Sequence, residues 1–460
     1  MNTVRTTAAL RALDAAHHLH PFTNARELNA QGVRIIESAR GVYLTDSDGQ
    51  KILDGMSGLW CSTLGYGRRE ILDAVTKQME VLPFYNTFFK TSHPPVIQLS
   101  KRLAEVTPSQ FNHFMFTGSG SESNDTIFRL VRYYWDLVGQ PDKTVFISRH
   151  NSYHGSTVAA ASLGGLSAMH KQGGLPIPGI VHAPQPAWWA EGGDMSPDSF
   201  GLHVARQTLD MIDEIGADKV AAMFAEPIQG AGGVIIPPAT YWPELSKGLK
   251  ERDILLISDE VICGFGRTGH WFGCELMNTQ PDFMTLAKGI TSGYIPLGAV
   301  AVSDRIASAL LAHGDEFAHG FTYSGHPAAC AAALATLDIM QSEDVVRRVH
   351  DDIGPYLQEK WRSLAEHPMI GEATMEGLIG SFQFCADKQA RTTFPASANI
   401  GLAARDFSFD NGLVMRAVGD RMVIAPPFVL SRGEVDELIS KASQTIDQTY
   451  QHARKLGLIA

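Results

Sequence analysis

Six short apolar runs, separated by stretches with helical spacing, set the strongest limit on how this 460-residue chain can fold. The runs are HFMFT (113–117), TVFIS (144–148), VAAMFAE (220–226), ILLISDE (254–260), DFMTLAK (282–288) and GAVAVS (298–303). Between the first two runs, the segment 121–138 carries apolar residues at helical spacing. Buried strands that alternate with helices are typical of a sheet covered on both faces. The sequence therefore predicts an α/β fold with a mostly parallel central sheet.

The segments on either side of this region predict a second, smaller α+β domain. Near the start, GVYLTD is followed by DSDGQK, which is typical of a hairpin turn. An Ala-rich helix over 328–341 leads into a mixed C-terminal segment. Because some 60 residues are too few to form a core alone, we expect the N-terminal part to pack with the C-terminal one. The predicted division is 1–65 and 331–460 for the small domain and 66–330 for the large one.

Charge and cysteine content narrow the class of protein. The chain has 38 Lys and Arg against 49 Asp and Glu, a net charge of -11, which disfavours nucleic acid and anionic membranes as partners. No run of 18 apolar residues could span a membrane, and MNTVRTTAALRALDAAHH is typical of an amphipathic helix, not of a signal peptide. The five cysteines form no CxxC pair, so we expect reduced thiols and a cytoplasmic protein.

Two motifs resemble sites of other kinds, a dinucleotide-binding loop and a metal site. The glycines of GFGRTG (264–269) match a dinucleotide fingerprint, but HWFGCELMN after them does not have a helical pattern. His17, His18 and His20 could suggest a metal site, yet histidines at a helix end before Pro21 explain them better. We therefore predict neither a dinucleotide site nor a bound metal.

Four features stand at the predicted carboxyl ends of strands, where open parallel sheets bind ligands. They are the segment TGSGSESND (117–125) before a helix, Tyr153, Asp259 and Lys288. Each has an ordinary explanation alone: a helix N-cap, a packed aromatic, a structural ion pair and a lysine that reaches the surface. A helix N-terminus contributes only ~0.3–2 kcal/mol towards an anion, so it can position a phosphate but cannot hold one by itself.

Together the four features are what pyridoxal 5′-phosphate requires. A desolvated lysine is a nucleophile towards carbonyls and can form an imine with the cofactor. A carboxylate facing the pyridine nitrogen keeps that nitrogen protonated. At ~4 Å and an effective dielectric of ~20 this pair is worth about 4 kcal/mol, or about three pKa units. The sequence therefore predicts Lys288 and Asp259 as the catalytic pair.

The motifs around these residues resemble a known family over nearly the whole chain. ILLISDEVICGFGRTG (254–269) and TLAKGITSGYIPLGAV (285–300) are similar to the signature of class-III aminotransferases, which have the fold-type I architecture of pyridoxal-phosphate enzymes. Seven further segments resemble the amine:pyruvate, or ω-transaminase, branch: DGMSGLWCSTLGYG, LPFYNTFF, TGSGSESNDT, YHGST, EPIQGAGGVI, HGFTYSGHP and LVMRAVGD.

This resemblance implies roles for single residues. Lys288 would carry the cofactor and move the proton, and Asp259 would pair with the pyridinium. The cofactor would further be held by Gly120 and Ser121 at the phosphate, by Thr322 of the second subunit, and by Tyr153 and Val261 on the two ring faces. The substrate pocket would be formed by Trp60, Phe88, Tyr153, Ala231 and Arg416. The family implies a homodimer with active sites at the subunit interface, possibly a dimer of dimers, and makes 66–330 the cofactor-binding domain.

Two departures from the wider class bear on this assignment. Many members that use 2-oxoglutarate carry Glu at the position of Ala231, where it masks the mobile arginine. Its absence here fits the branch that uses pyruvate. The stretch GEATMEGLIG (371–380) lacks a common Arg-Gly pair and has Thr374 and Met375 instead, which leaves the local geometry of the small domain open.

The function that follows is transfer of an amino group from a primary amine to pyruvate, in two half-reactions. The amine could be a diamine such as putrescine, a monoamine or an ω-amino acid. An aminomutase or a decarboxylating aminotransferase of the same fold is the alternative, and release of alanine distinguishes them. A pyridoxal-phosphate-binding regulator without turnover is a hypothesis of another class.

Overall fold

The computed structural model describes residues 6–459. Its strands are β1 (Ile36–Arg40), β2 (Tyr43–Asp46), β3 (Lys51–Leu53), β4 (Phe111–Thr117), β5 (Val145–Arg149), β6 (Ile180–Ala183), β7 (Val220–Ala225), β8 (Leu255–Asp259), β9 (Phe283–Leu286), β10 (Gly298–Ser303), β11 (Ile370–Glu376), β12 (Ile379–Phe384), β13 (Arg416–Val418) and β14 (Arg421–Ile424).

The helices vary from single turns to the 24-residue C-terminal helix. They are α1 (Thr7–His17), α2 (Ala25–Gln31), α3 (Ser57–Trp60), α4 (Arg69–Val81), α5 (Pro94–Val106), α6 (Gly120–Leu137), α7 (Val158–Leu163), α8 (Ser167–His170), α9 (Trp188–Glu191), α10 (Pro197–Ile215), α11 (Tyr241–Glu251), α12 (Gly273–Leu276), α13 (Asp304–His313), α14 (Pro327–Ser342), α15 (Val345–Arg348), α16 (Gly354–Ser363), α17 (Ile400–Asp410) and α18 (Arg432–Lys455). Over residues 6–459, no helix combines the length and the apolar character needed to cross a membrane.

A seven-stranded sheet forms the centre of the molecule, in the order β4-β10-β9-β8-β7-β5-β6. The pairs from β9 through β6 are parallel, whereas β10 is antiparallel to both of its neighbours. The predicted mostly parallel sheet is confirmed, and all six predicted runs are strands of it. The edge strand β6 was missed because it is only four residues long and includes the half-buried His182.

Helices cover both faces of this sheet because its central strands are apolar on both sides. Side chains of β7 and β8 alternate between two clusters. On one face, Phe224 and Ile257 pack with Ile127 and Val131 of α6. On the other face, residues of the same two strands pack with α10 and α11; this cluster includes Met223, Leu256, Phe200 and Leu245. Burial on both faces explains why the strands have no polar alternation in the sequence.

The N-terminal sheet β1-β2-β3 contacts the C-terminal part of the chain. The Leu53 N–H donates to Gly412 O at 2.9 Å, and the Val414 N–H donates to Leu53 O at 2.9 Å. The Ala425 N–H donates to Gly55 O at 2.7 Å. The C-terminal part contains the antiparallel sheet β11-β12-β14-β13, regular through Thr374 and Met375. These bonds join the two ends of the chain, and the domain boundaries at 65 and 330 stay a prediction.

One edge of the central sheet collects the chemistry-bearing residues. The strands β4, β5, β7, β8 and β9 run in the same direction, so their carboxyl ends meet there. Asp259 is the last residue of β8. β9 ends at Leu286, two residues earlier than the predicted run, because the chain turns sharply at Lys288.

Candidate active site

A cavity of about 310 Å³ opens at this edge of the central sheet. All four predicted features line it, and the lining includes Gly120, Ser121, Tyr153, Asp259, Val261 and Lys288. Six of the residues predicted from the sequence are therefore brought together in one chain.

Lys288 lies in this cavity in an unusual backbone conformation. Its φ of 48° is left-handed, and it begins a 3-10 turn over Lys288–Thr291. Its side chain is half-buried, and no hydrogen bond to Nζ is formed within residues 6–459. Burial lowers the pKa of Lys288 below its ordinary value. This combination favours the neutral, nucleophilic amine.

Asp259 is held rigidly by hydrogen-bond donors. The side chain is 3% exposed. Its Oδ2 lies 2.7 Å from Nδ1 of His154 and accepts from Nδ2 of Asn124 at 2.9 Å. Its Oδ1 accepts from the Val261 N–H at 3.1 Å. These neighbours fix the position of the Asp259 carboxylate, which lines the cavity. A carboxylate can accept further hydrogen bonds, so it can act as an acceptor for a group bound there.

Asn124 and His154 are in turn fixed by their neighbours. Asn124 Nδ2 also donates to the carbonyl of His154 at 2.7 Å, and its Oδ1 accepts from the Thr285 hydroxyl at 2.6 Å. The second ring nitrogen of His154 lies 3.2 Å from Ser148 Oγ. Neither residue was predicted from the sequence. Asn124 belongs to the segment TGSGSESND and His154 to YHGST, so both are close in sequence to residues that were predicted.

The start of α6 forms a small-residue corner of the cavity. Ser119 caps the helix by accepting from the Glu122 N–H at 3.2 Å. The N–H groups of Gly120 and Ser121, in the first turn, have no acceptor within the helix. A Cβ at Gly120 would lie 2.8 Å from Val261 Cγ2, so only glycine fits there. Free N–H groups at a helix N-terminus are a site for an anion such as phosphate.

Glu226 is a second buried carboxylate in the cavity, and the sequence analysis gave it no role. It follows β7 and is 3% exposed. Its two oxygens accept from the N–H of Tyr153 at 3.0 Å and of Gly230 at 2.8 Å. Burial raises the pKa of Glu226. An acidic residue immediately after a fully apolar strand, the pattern that identified Asp259, could have found it.

Trp60 lies next to two cations. Its ring centroid is 5.4 Å from Lys288 Nζ and 5.1 Å from Arg416 Cζ. The indole N–H is buried, and no acceptor for it lies within residues 6–459. The structure thus brings Trp60 and Arg416 to the side of the cavity where Lys288 stands.

Arg416 has no acidic partner in the part of the chain that the structure describes. Asp420, the partner considered in a purely structural explanation, accepts instead from the Gly401 N–H at 3.0 Å. Burial lowers the pKa of Arg416. The guanidinium is half-buried, so its donors are available for a carboxylate ligand.

Five predicted site residues are not among those that line this cavity: Trp60, whose ring adjoins Lys288 Nζ, Arg416, Ala231, Phe88 and Thr322. Ala231 is buried in the loop after β7. Phe88 lines a separate groove, where a Cβ at Gly320 would lie 2.8 Å from its ring. Thr322 is exposed.

The N-terminal segment adds two contacts. Phe22, which the sequence analysis did not single out, lies edge-on to Tyr153 with 6.3 Å between ring centroids. Asp14 bonds His20 Nε2 at 2.9 Å and His18 Nδ1 at 3.2 Å. Asp14, His18 and His20 bring possible ligand atoms within 4.8 Å of one another, whereas His17 is not part of this group, so the expected absence of a metal stays a prediction.

Comparison with known proteins agrees with the geometry. Residues 25–446 match the family described as aminotransferase class-III. A putrescine–pyruvate aminotransferase of Pseudomonas aeruginosa is 54% identical over 452 residues, which cover 98% of this chain and 99% of that protein.

Two solved structures are similar over almost the whole chain. An (S)-enantioselective ω-transaminase from Thermomicrobium roseum has a TM-score of 0.93 at 41% identity, covering 96% of this chain and 98% of that one. The ω-transaminase of Pseudomonas jessenii in complex with PMP has a TM-score of 0.93 at 37% identity, with the same coverage. The fold and the family predicted from the sequence are confirmed. The chain belongs to the class-III aminotransferases, which are pyridoxal-phosphate-dependent enzymes.

Proposed function

We propose that this aminotransferase moves an amino group from a primary amine to pyruvate, with pyridoxal 5′-phosphate carried on Lys288. The observation that carries the proposal is that the Lys288 amine and the Asp259 carboxylate line one cavity with the N-terminus of α6. The similarity to a putrescine–pyruvate aminotransferase supports a diamine as donor and pyruvate as acceptor.

The residues present fit the cofactor. The free N–H groups of Gly120 and Ser121 suit its phosphate, and Tyr153 and Val261 line the cavity between that corner and Lys288. The buried Asp259, which accepts from its protein neighbours, suits a cationic ring nitrogen. When bound, pyridoxal phosphate supplies an electron-accepting ring.

The chain's own residues handle the proton and the charge. The Lys288 amine, with its lowered pKa, would accept at Nζ the proton that leaves the substrate carbon and carry it to a second carbon, since amino-group transfer requires the proton to change position. Asn124 and His154 hold the Asp259 carboxylate in place at the cavity. Glu226 fixes the backbone of Tyr153, and so the position of that ring.

Arg416 and Trp60 form the substrate side of the site. Pyruvate carries a carboxylate, which a guanidinium can bind through two parallel hydrogen bonds. Because no acid holds Arg416 within residues 6–459, it is available for this ligand. The ring of Trp60 offers an apolar wall to the hydrocarbon part of an amine.

A second copy of the chain would complete the site. Thr322 is exposed, and Phe88 lies outside the Lys288 cavity, as expected of residues that act in a partner's site. We therefore propose a homodimer in which each chain contributes Thr322 and Phe88 to the other. The cytoplasmic location stays a prediction.

The test is to incubate the purified holoenzyme with pyruvate and a panel of amines and to measure alanine. The panel contains putrescine, an aromatic monoamine and an ω-amino acid. We expect alanine in amounts equal to the amine consumed, and faster turnover with pyruvate than with 2-oxoglutarate. Turnover of an amine without alanine would favour a mutase or decarboxylase, and preference for 2-oxoglutarate would contradict the proposed acceptor.

A further inference from the structure

Arg421 joins three strands of the small C-terminal sheet. Glu372 on β11, Gln383 on β12 and Arg421 on β14 are paired directly across the strands. The Arg421 guanidinium forms an ion pair with Glu372, and its Nε donates to Gln383 Oε1 at 3.2 Å. Its Nη1 donates to Ser381 Oγ at 3.3 Å. The side chain is thus mostly buried and is held by two neighbours in its own cross-strand row and by Ser381, two residues from Gln383 on β12.

The same guanidinium also contacts the loop that follows β7. Arg421 Nη1 donates to Gly233 O at 3.5 Å. Gly233 has φ of 120°, and a Cβ there would lie 3.1 Å from Arg421 Cδ. This loop carries Ala231 and is held at its base by the bond from the Gly230 N–H to Glu226. Arg421 therefore connects the small sheet with a loop of the active site.

Arg416 stands on the same face of the same hairpin. In the β13–β14 pair, Arg416 is opposite Val423 and Val418 is opposite Arg421. Residues two apart on a strand, and residues paired across strands, point to the same face. A contact that fixes Arg421 against the loop therefore also fixes the strand that carries Arg416, whose guanidinium adjoins the same Trp60 ring as Lys288 Nζ.

We propose that Arg421 is a positioning residue that holds the β13–β14 hairpin against the 226–235 loop and so places Arg416 for the carboxylate of the acceptor. The proposal rests on the proposed function, in which Arg416 binds pyruvate. Arg421 lines a different cavity and does not contact the reacting groups.

An arginine suits this position better than a lysine. Its planar fork donates to several fixed acceptors at once, and here they are a carboxylate, an amide, a hydroxyl and a backbone carbonyl.

The test compares holoenzyme variants in the two half-reactions, measured separately. Arg421→Met removes the charge and the donors but keeps the apolar stem. Arg432→Met is the matched control. Arg432 is the first residue of α18, its side chain is exposed, and its Nη2 lies 2.7 Å from Oδ1 of Asp352. Arg416→Ala reports on the carboxylate site itself.

We expect Arg421→Met to raise the apparent KM for pyruvate about fivefold, ~1 kcal/mol, and to change kcat/KM for putrescine less than twofold. Arg416→Ala should raise the same KM at least tenfold, ~1.4 kcal/mol. Arg432→Met should leave both half-reactions unchanged.

If Arg421→Met lowers both half-reactions equally, or neither, the positioning role is overturned. The proposed function stays intact in that case as long as Arg416→Ala affects only the reaction with pyruvate. An unchanged pyruvate KM in Arg416→Ala would overturn both. If Arg421→Met does not fold, Arg421→Lys takes its place, with the same KM expected to rise about threefold.

Discussion

Lys288 combines three properties that seldom occur together in a structural lysine. Its backbone is left-handed, its amine stands in a cavity without a hydrogen bond in the described chain, and its nearest charged neighbours are not ion-paired to it. A β-carbon in the left-handed region costs roughly 1–2 kcal/mol. A surface lysine would gain nothing from this arrangement, so the strain is consistent with a functional position.

The first prediction concerns pH. Since burial lowers the pKa of Lys288, its amine becomes neutral at lower pH than a free lysine. Cofactor uptake by the apoenzyme should therefore rise with pH and level off below ~10.4, the ordinary lysine value. The stability of the apoenzyme changes in the same direction. Between the lower pKa of Lys288 in the folded chain and its ordinary pKa in the unfolded chain, the unfolded chain binds more protons. The free energy of unfolding therefore rises with pH in this range.

Absorbance of the bound cofactor, followed against pH in a stopped-flow instrument, measures the uptake. Borohydride reduction followed by peptide mapping should find the cofactor on Lys288. Lys288→Ala should bind it without a covalent link, lose turnover and lose the pH-dependent part of stability. Lys247→Ala, at an exposed lysine on α11, should behave as the parent. Label on another lysine would contradict the assignment.

At the scale of elements, the loop after β5 is packed directly on the start of α6. Gly155 has φ of 135°, and a Cβ there would lie 2.4 Å from Ser121 Oγ. The Ser156 N–H donates to the same oxygen at 3.1 Å. The loop that carries Tyr153 is therefore tightly packed against the N-terminus of α6, and no side-chain atom can be added at Gly155 without moving one of them.

The second prediction follows from that contact. Gly155→Ala should weaken binding of pyridoxal phosphate at least about tenfold, ~1.4 kcal/mol, because the added methyl group displaces the start of α6. Equilibrium dialysis of the cofactor measures this. Gly139→Ala has comparable backbone strain, with φ of 76°, but nothing lies within 4 Å of its new methyl group. It should lower stability without weakening the cofactor, and equal affinity losses in the two variants would refute the packing explanation.

Local patterns were enough to predict six of the seven strands of the central sheet and the place of Asp259 and Lys288 in one cavity, while their catalytic roles stay a prediction. The strand GAVAVS matches Gly298–Ser303, and Asp259 ends a wholly buried strand, as apolar runs that stop at a charge indicate. Hydrogen-bond partners were not predictable in the same way. Asn124 and Asp259 are far apart in sequence and meet only because β4 and β8 belong to one sheet. The antiparallel direction of β10 could not be predicted from its own residues either, because an apolar strand has the same composition in both directions.

At the scale of the whole molecule, one face is unusually apolar for a surface. Phe89 is 90% exposed, Val81 76% and Tyr323 65%, and Phe84 packs against Tyr323. Phe88 and Thr322 lie on adjoining segments. Exposed apolar side chains that gather in one region are typical of an interface between protein chains. The face supports the proposed homodimer.

The third prediction separates an active-site role of Phe88 from a purely structural one. If Phe88 reaches the partner's cavity, Phe88→Ala should change the preference between an aromatic amine and putrescine at least about fivefold, ~1 kcal/mol, with little effect on dimer dissociation. Steady-state kinetics and analytical ultracentrifugation measure the two effects. Val81→Ala, on the same face at the end of α4, should change neither preference nor turnover. A weaker dimer with unchanged amine preference would show that Phe88 is interface core only.

The place of β10 in the sheet has a consequence for synthesis on the ribosome. β4 hydrogen-bonds only to β10 within this sheet, so Phe116 must wait for Ala299 to emerge before it is paired. Strands β5 to β9 can associate earlier, since each finds a neighbour within that interval. A contact between distant parts of a chain forms late because the intervening loop must close first. Pairing of β4, which leads into Gly120, is therefore completed only after Lys288 has been synthesised, although β4 itself is made much earlier.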